Sequence, residues 1–182
     1  MQKIYKFSLF IALLFMLLAF IYALSFMRDK AQTYAIDESL KGQVTLILVQ
    51  KQERKLSLYH NEKLLKTYSV RLGANPQGAK QIEGDGKTPE GRYFIDSKNP
   101  NSRYFLNLGI SYPNNADKIR ASALNKSAGG DIKIHGLPNG FGFADALFAK
   151  FDWTNGCIAV SNAAMQELYE VVEVGTAIVI EP

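Results

Sequence analysis

Apolar residues fill the start of the chain without a break: FSLFIALLFMLLAFIYALSF, Phe7 to Phe26, runs for 20 residues without a charge. That is about the length an α-helix needs to cross the hydrocarbon core of a bilayer. A soluble core helix of this kind would need burial on every side, which argues against that reading. Lys3 and Lys6 precede the run, and Arg28, Asp29 and Lys30 follow it. Two readings compete. A secretory signal has a shorter apolar region, about 7–15 residues, ahead of small residues at its cleavage site. Ala23 and Ser25 offer such a site, but the length of the run and the flank FMRDK favour an uncleaved anchor over residues 1–27. With the lysines and the amino terminus on one side, the positive-inside rule places the start in the cytoplasm and the body outside it.

Residues 28–42 form a polar connector, and from Val44 the pattern turns β-like. VTLILV is a short apolar run, while KLSLY and LLKTYSVRL alternate around HNEK, which has the residues of a hairpin turn. Gly73 to Gly91 holds five glycines, two prolines and no apolar periodicity, so it is a loop, with TPEG composed as a type I turn. RYFI and FLNLGISYP predict further strands, NADKIRASAL a short helix, and DIKIHG a strand running into His135 and Gly136. LPNGFGFADALFAKFDW is irregular and fits a flap or a short helix. Met165, Leu168, Tyr169 and Val172 recur at i, i+3, i+4 and i+7, the spacing of an amphipathic helix, which Ser161 or Asn162 caps. TAIVI closes the chain as a strand. The body therefore reads as mainly β with two or three short helices, and no internal repeat.

Composition changes little: 47% hydrophobic and 21% charged residues describe a folded domain. Charge changes more. Residues 1–30 carry four of the 21 Lys and Arg and one of the 17 Asp and Glu, so the formal +4 falls to +1 for the remainder. No basic patch is left to argue for nucleic acid.

Cys157 is the only cysteine, so an internal disulfide is excluded. A lone thiol in an exported body suggests an intermolecular bridge or a reactive group; a small buried hydrophobe and a metal ligand are the remaining possibilities. One Cys and one nearby His supply too few soft ligands for zinc. Thiol catalysis needs a base and oxyanion donors. The chain has two histidines: His60 in the hairpin turn, where exposure is unremarkable, and His135 at a strand end. Gly156 before the cysteine removes a side chain where a substrate carbonyl must approach, and frees the Gly156 and Cys157 amides as oxyanion donors. A thiolate beside His135 is expected to alkylate at mildly acidic pH.

His135-Gly136, a loop, then Thr154-x-Gly156-Cys157 and Asn162 resemble the signature of the L,D-transpeptidases, the YkuD-type cysteine enzymes of peptidoglycan. LSLYHNEKLLKTYSVRLG and the Thr-Pro-Glu-Gly turn are similar to the opening of that domain, so the likeness covers about residues 43–181. It implies an L,D-transpeptidase-type β-sandwich or open barrel over residues 43–182, behind the transmembrane anchor. It also implies roles. Cys157 is the nucleophile, and His135 its base, oriented by the Gly136 carbonyl. Gly156 and Cys157 bind the oxyanion, Thr154 and Asn155 line the cleft, and Asn162 supports the cysteine turn or caps a helix. Asp152 and Trp153 are packing and turn residues. The family's usual His and Arg are replaced by Asn155 and Ala159, which bears on substrate charge recognition and on the acceptor.

The implied activity is transfer from peptidoglycan stem peptides through a thioester, D-alanine leaving, to an amine on another stem or on a wall-linked protein. The alternatives are hydrolysis by the same pair and a wall-binding module without turnover; a papain-like peptidase has Cys and His in the opposite order. Neither metal nor organic cofactor is called for. The expected location is periplasmic, held to the inner membrane through residues 7–26.

Overall fold

The structure, a computed structural model, describes residues 2–182. The apolar run lies within one long helix, α1 (Gln2–Ala31), whose segment Leu9–Asp29 has a mean hydropathy of 2.7. An extended stretch and a 3-10 turn at Glu38–Leu40 lead from it into the body.

There the alternation of the sequence becomes strands: β1 (Leu46–Gln50), β2 (Lys55–His60), β3 (Lys63–Ser69), β4 (Gly91–Asn99) and β5 (Asn107–Ile110). Helix α2 (Asn115–Ala123) follows, started by a reciprocal cap in which Asn114 and Asp117 each accept the other's backbone N–H. Then come β6 (Lys133–His135), the one-turn α3 (Asp145–Phe148), β7 (Ile158–Ala159), α4 (Asn162–Val171) and β8 (Ala177–Glu181). The irregular segment before the cysteine resolves as a 3-10 turn at Gly142–Ala144 running into α3. The glycine-rich loop carries no regular element between Gly73 and Gly91, and Thr88 inside it is fully buried, its Oγ1 accepting from Gly73 N–H at 3.0 Å.

All eight strands form one mixed sheet in the order β3-β2-β1-β8-β4-β5-β6-β7. The two edges do not stay apart. Just beyond β3, Arg71 exchanges both backbone hydrogen bonds with Ala159 of β7, each 2.8 Å, and Ala74 N–H donates to Thr154 at 2.9 Å. The sheet therefore curls into an open barrel around Ile47, Leu56, Leu58, Leu72, Tyr93, Ile95, Leu108, Ile134, Ile158 and Ile178, all buried. This is the mainly β fold with short helices that the pattern and the resemblance predict.

Helix α4 covers one side of that core. Met165 and Leu168 are fully buried, Val172 as well, and Tyr169 packs at the edge, which is the predicted spacing. Ser161 is the cap, accepting from Ala164 N–H at 3.2 Å. β7 runs straight into this capped helix, which fixes the strand that follows Cys157.

Candidate active site

β6 and β7 pair in parallel, with Ile134 opposite Ile158 and His135 opposite Ala159. Side chains alternate along a strand. Both isoleucines therefore enter the core, while His135 and the residue two before Ala159, Cys157, share the opposite face. The two line one open groove of about 640 Å³, together with Tyr104, Lys133, Trp153 and Thr154. Asn155 stands exposed at its edge.

His135 is 4% exposed, and its Nδ1 lies 2.7 Å from the Gly136 carbonyl. That contact makes Nδ1 the protonated nitrogen and leaves Nε2 to take a proton from the groove. Gly136 is a glycine for a steric reason. A Cβ there would lie 2.6 Å from Asn162 Oδ1 and 3.0 Å from Phe105 Cβ. Its N–H donates to the Tyr104 carbonyl at 3.1 Å. Two rings hold the imidazole: Tyr104 at 4.6 Å between centroids and Trp153 at 5.6 Å.

The cysteine turn is closed by Thr154, whose Oγ1 donates to the Cys157 carbonyl at 2.7 Å and accepts from Gly156 N–H at 3.1 Å. The Gly156 amide is committed inside the turn, which sets it apart from the free oxyanion donor expected there. The glycine also has a backbone reason: φ is +127°, and a Cβ would stand 2.5 Å from the Lys87 carbonyl oxygen.

Electrostatics also depart from expectation. Burial pushes the His135 imidazole down to about 4, the Lys133 charge adding to the fall while the Gly136 contact opposes it. Burial likewise pushes the Cys157 thiol up, with Asp131 adding and the Lys133 backbone N–H opposing. The resting pair is thus a neutral thiol and a neutral imidazole, with Sγ directed at the Asp131 carbonyl, 3.6 Å away. A thiolate poised at mildly acidic pH is not what this environment holds.

Residues 44–180 match the catalytic-domain profile of the YkuD L,D-transpeptidases. The chain belongs to that family. Among solved structures, the helical cell shape determining protein Pgp2 from Campylobacter jejuni is 30% identical, over 76% of this chain and 47% of that one, with a TM-score of 0.58. Bd1075 from Bdellovibrio bacteriovorus is 28% identical, over 80% of this chain and 50% of that one, with a TM-score of 0.54. An L,D-transpeptidase from Mycobacterium smegmatis shares the fold at 14% identity, over 77% of this chain and 59% of that one, with a TM-score of 0.51. The chain spans about half the length of the first two. A search of curated proteins finds no significant match.

Within this YkuD domain several placements differ from their sequence assignments. Ser161, not Asn162, caps α4; Asn162 Oδ1 accepts from Leu137 N–H at 2.8 Å, bracing the exit of the histidine strand. Asp152 receives both Arg54 Nε and Nη2 and, at 2.8 Å, Leu72 N–H, so it locks the approach to the turn onto β3's extension. His60 lies at the end of β2 with Nδ1 2.6 Å from the Gln43 carbonyl, outside the groove. Ala159 lines a separate pocket of about 310 Å³ with Arg71 and Asp145, and Trp153 is the wall between the two. Lys133 and Tyr104 escape the sequence reading. Lys133 is findable, two residues before His135 on the same strand and therefore on its face; Tyr104 sits in no periodic pattern. Among the described residues, no three His, Cys, Asp or Glu side chains gather as a metal site.

Proposed function

We propose that the chain is a membrane-anchored, extracytoplasmic enzyme that acts on peptidoglycan stem peptides through a Cys157 thioester. The family supports an L,D-transpeptidase-like activity. The observation that carries the finer reading is that His135 at the end of β6 and Cys157 just before the neighbouring β7 line a common groove.

Cys157 Sγ attacks the carbonyl at the L-centre, diaminopimelate, of the bond to the terminal D-alanine, as His135 Nε2 removes the thiol proton. The developing oxyanion takes the Cys157 N–H. Collapse breaks the C–N bond, the imidazolium returns its proton to the leaving D-alanine amine, and a thioester remains. A second amine, from another stem or a wall-linked protein, then displaces the thiol while His135 accepts its proton and passes it back to sulfur. A general base of this kind contributes roughly 10²–10⁴-fold. Incubating the chain with a disaccharide-tetrapeptide tests the scheme: Cys157→Ala abolishes both the acyl-enzyme mass and all product. Turnover by that variant would exclude the mechanism.

Water as the acceptor is a second reading, favoured by the replacement of the family's charged positions with exposed Asn155 and with Ala159, which faces the neighbouring pocket. Tripeptides from the same incubation indicate hydrolysis, and dimers indicate transfer. The likeness to Pgp2 supports a cell-shape role, whether the stems are trimmed or joined.

The anchor reading is supported by contacts of α1 beyond its apolar length. Tyr22 Oη donates to the Asn139 carbonyl at 3.3 Å and Ser25 Oγ to the Gly140 carbonyl at 2.7 Å. Cleavage after the Ala23/Ser25 pair would remove both of these contacts.

A further inference from the structure

Tyr22, Ser25 and Asp29 lie at i, i+3 and i+7 and so share one face of α1. That face is docked on the loop leaving the histidine strand. Asp29 is buried and accepts Gly140 N–H at 2.8 Å and Gly142 N–H at 3.1 Å, and the Tyr22 ring meets Phe141 at 6.0 Å. The depth of this dock follows from the helix. Its uncharged run ends at Phe26, its first following charge is Arg28, and each residue rises about 1.5 Å. The boundary of the hydrocarbon core therefore falls between the Ser25 and Asp29 contacts, and the Gly140 backbone, bonded to both, is level with it.

From that level the segment 141–151 projects an apolar surface that nothing in the domain covers: Phe143, Leu147 and Phe151 are 72%, 56% and 48% exposed. Its rings form a connected row, Phe141 to Phe148 at 6.4 Å and Phe148 to Phe151 at 6.4 Å. Exposed large apolar patches mark interaction sites, and aromatic rings are enriched at the level where hydrocarbon gives way to headgroups. We propose that the 141–151 flap is a second membrane contact, resting in the headgroup layer of the bilayer that holds α1. The partner is a lipid surface, and the inference rests on the anchored reading above. The same row continues from Phe148 to Trp153 at 5.1 Å and on to His135, so the lipid-facing segment is also the outer support of the groove wall.

Trp153 is the only tryptophan, so a Trp153→Phe background allows single probes. The full chain carrying Phe143→Trp is reconstituted in vesicles of brominated phosphatidylcholine with phosphatidylglycerol, beside a chain carrying Phe15→Trp in α1. Phe143 is exposed, so the substitution does not disturb packing. The proposal expects both probes to lose most of their emission relative to unbrominated vesicles, Phe15→Trp more from bromine deep in the acyl chains and Phe143→Trp more from bromine near the headgroups. Quenching of Phe15→Trp alone overturns the flap contact and leaves the anchor standing; a blue-shifted, unquenched Phe143→Trp would then place a second copy of the chain on the flap. Quenching of neither removes the anchor and the proposal together. Quenching of Phe143→Trp alone removes the anchor, and with it a flap resting beside α1 as a second contact.

Discussion

His135 keeps a neutral imidazole because Tyr104 and Trp153 exclude water from its faces while Gly136 engages only Nδ1. A neutral base and a neutral thiol lining one groove have chemical consequences. Alkylation of the resting Cys157 by iodoacetamide should be slow at pH 7 and rise with pH across the range above the ordinary thiol value, because burial pushes its pKa up. An inflection below pH 7 would instead mean a preformed thiolate–imidazolium pair. Stability carries a second signature. The unfolded chain takes a proton on this histidine near pH 6.5, whereas the folded one resists until about 4. The unfolded state therefore binds more protons in that window, and stability is lost as pH falls from 6.5 to 4, by on the order of 3 kcal/mol. Guanidinium unfolding at pH 7 and pH 4 should show a smaller loss for His135→Gln than for the parent; equal losses would contradict the burial. Cys157 and His135 stand out in the sequence because there is one thiol and few bases. Their protonation states are not legible there, since the rings and backbone that desolvate them arrive from segments around residues 104, 131 and 153.

Between β7 and the preceding loop, four residues form a turn whose two inner polar groups are satisfied by one hydroxyl. Thr154 is buried, as is Gly156 N–H, so Thr154→Val leaves an amide and a carbonyl without their partner. Leaving such groups unpaired costs about 1–3 kcal/mol. The variant should unfold at lower denaturant and lose kcat more than KM, because the turn aims both Sγ and the Cys157 N–H; Thr154→Ser should restore most of both. An unchanged kcat with Thr154→Val would show that the turn is held by its flanking elements alone. At this scale periodicity reads well where an element has one buried face: α4 follows its apolar spacing, and α2 its Asn114–Asp117 cap. It fails for β7, two residues long and buried on the core side only at Ile158. The closure of the barrel is equally hidden, because Arg71 and Ala159 are joined by backbone groups that every residue carries.

Across the whole molecule, the long apolar helix is obvious from composition, but its dock is not, although three polar side chains spaced at 22, 25 and 29 are its visible trace. Asp29 is the joint. Its carboxylate takes two backbone N–H groups from the loop that leaves the His135 strand, and hydrogen bonds to charged groups are worth about 1.5–3 kcal/mol each. Asp29→Ala removes the acceptor for both amides, and neither of these amides belongs to a barrel strand. Hydrogen exchange at Gly140 and Gly142 should then speed up by roughly 10–100-fold, as the loop opens without the barrel unfolding. Amides within β1 and β8 should exchange as before. Asp29→Asn, which keeps one carbonyl acceptor of the same shape but no charge, should fall between the two. If Gly140 and Gly142 remain as protected in Asp29→Ala as in the parent, the loop is held by its own turn and the helix merely lies against it; if β1 and β8 loosen with them, the dock is part of the global fold rather than a hinge beside it.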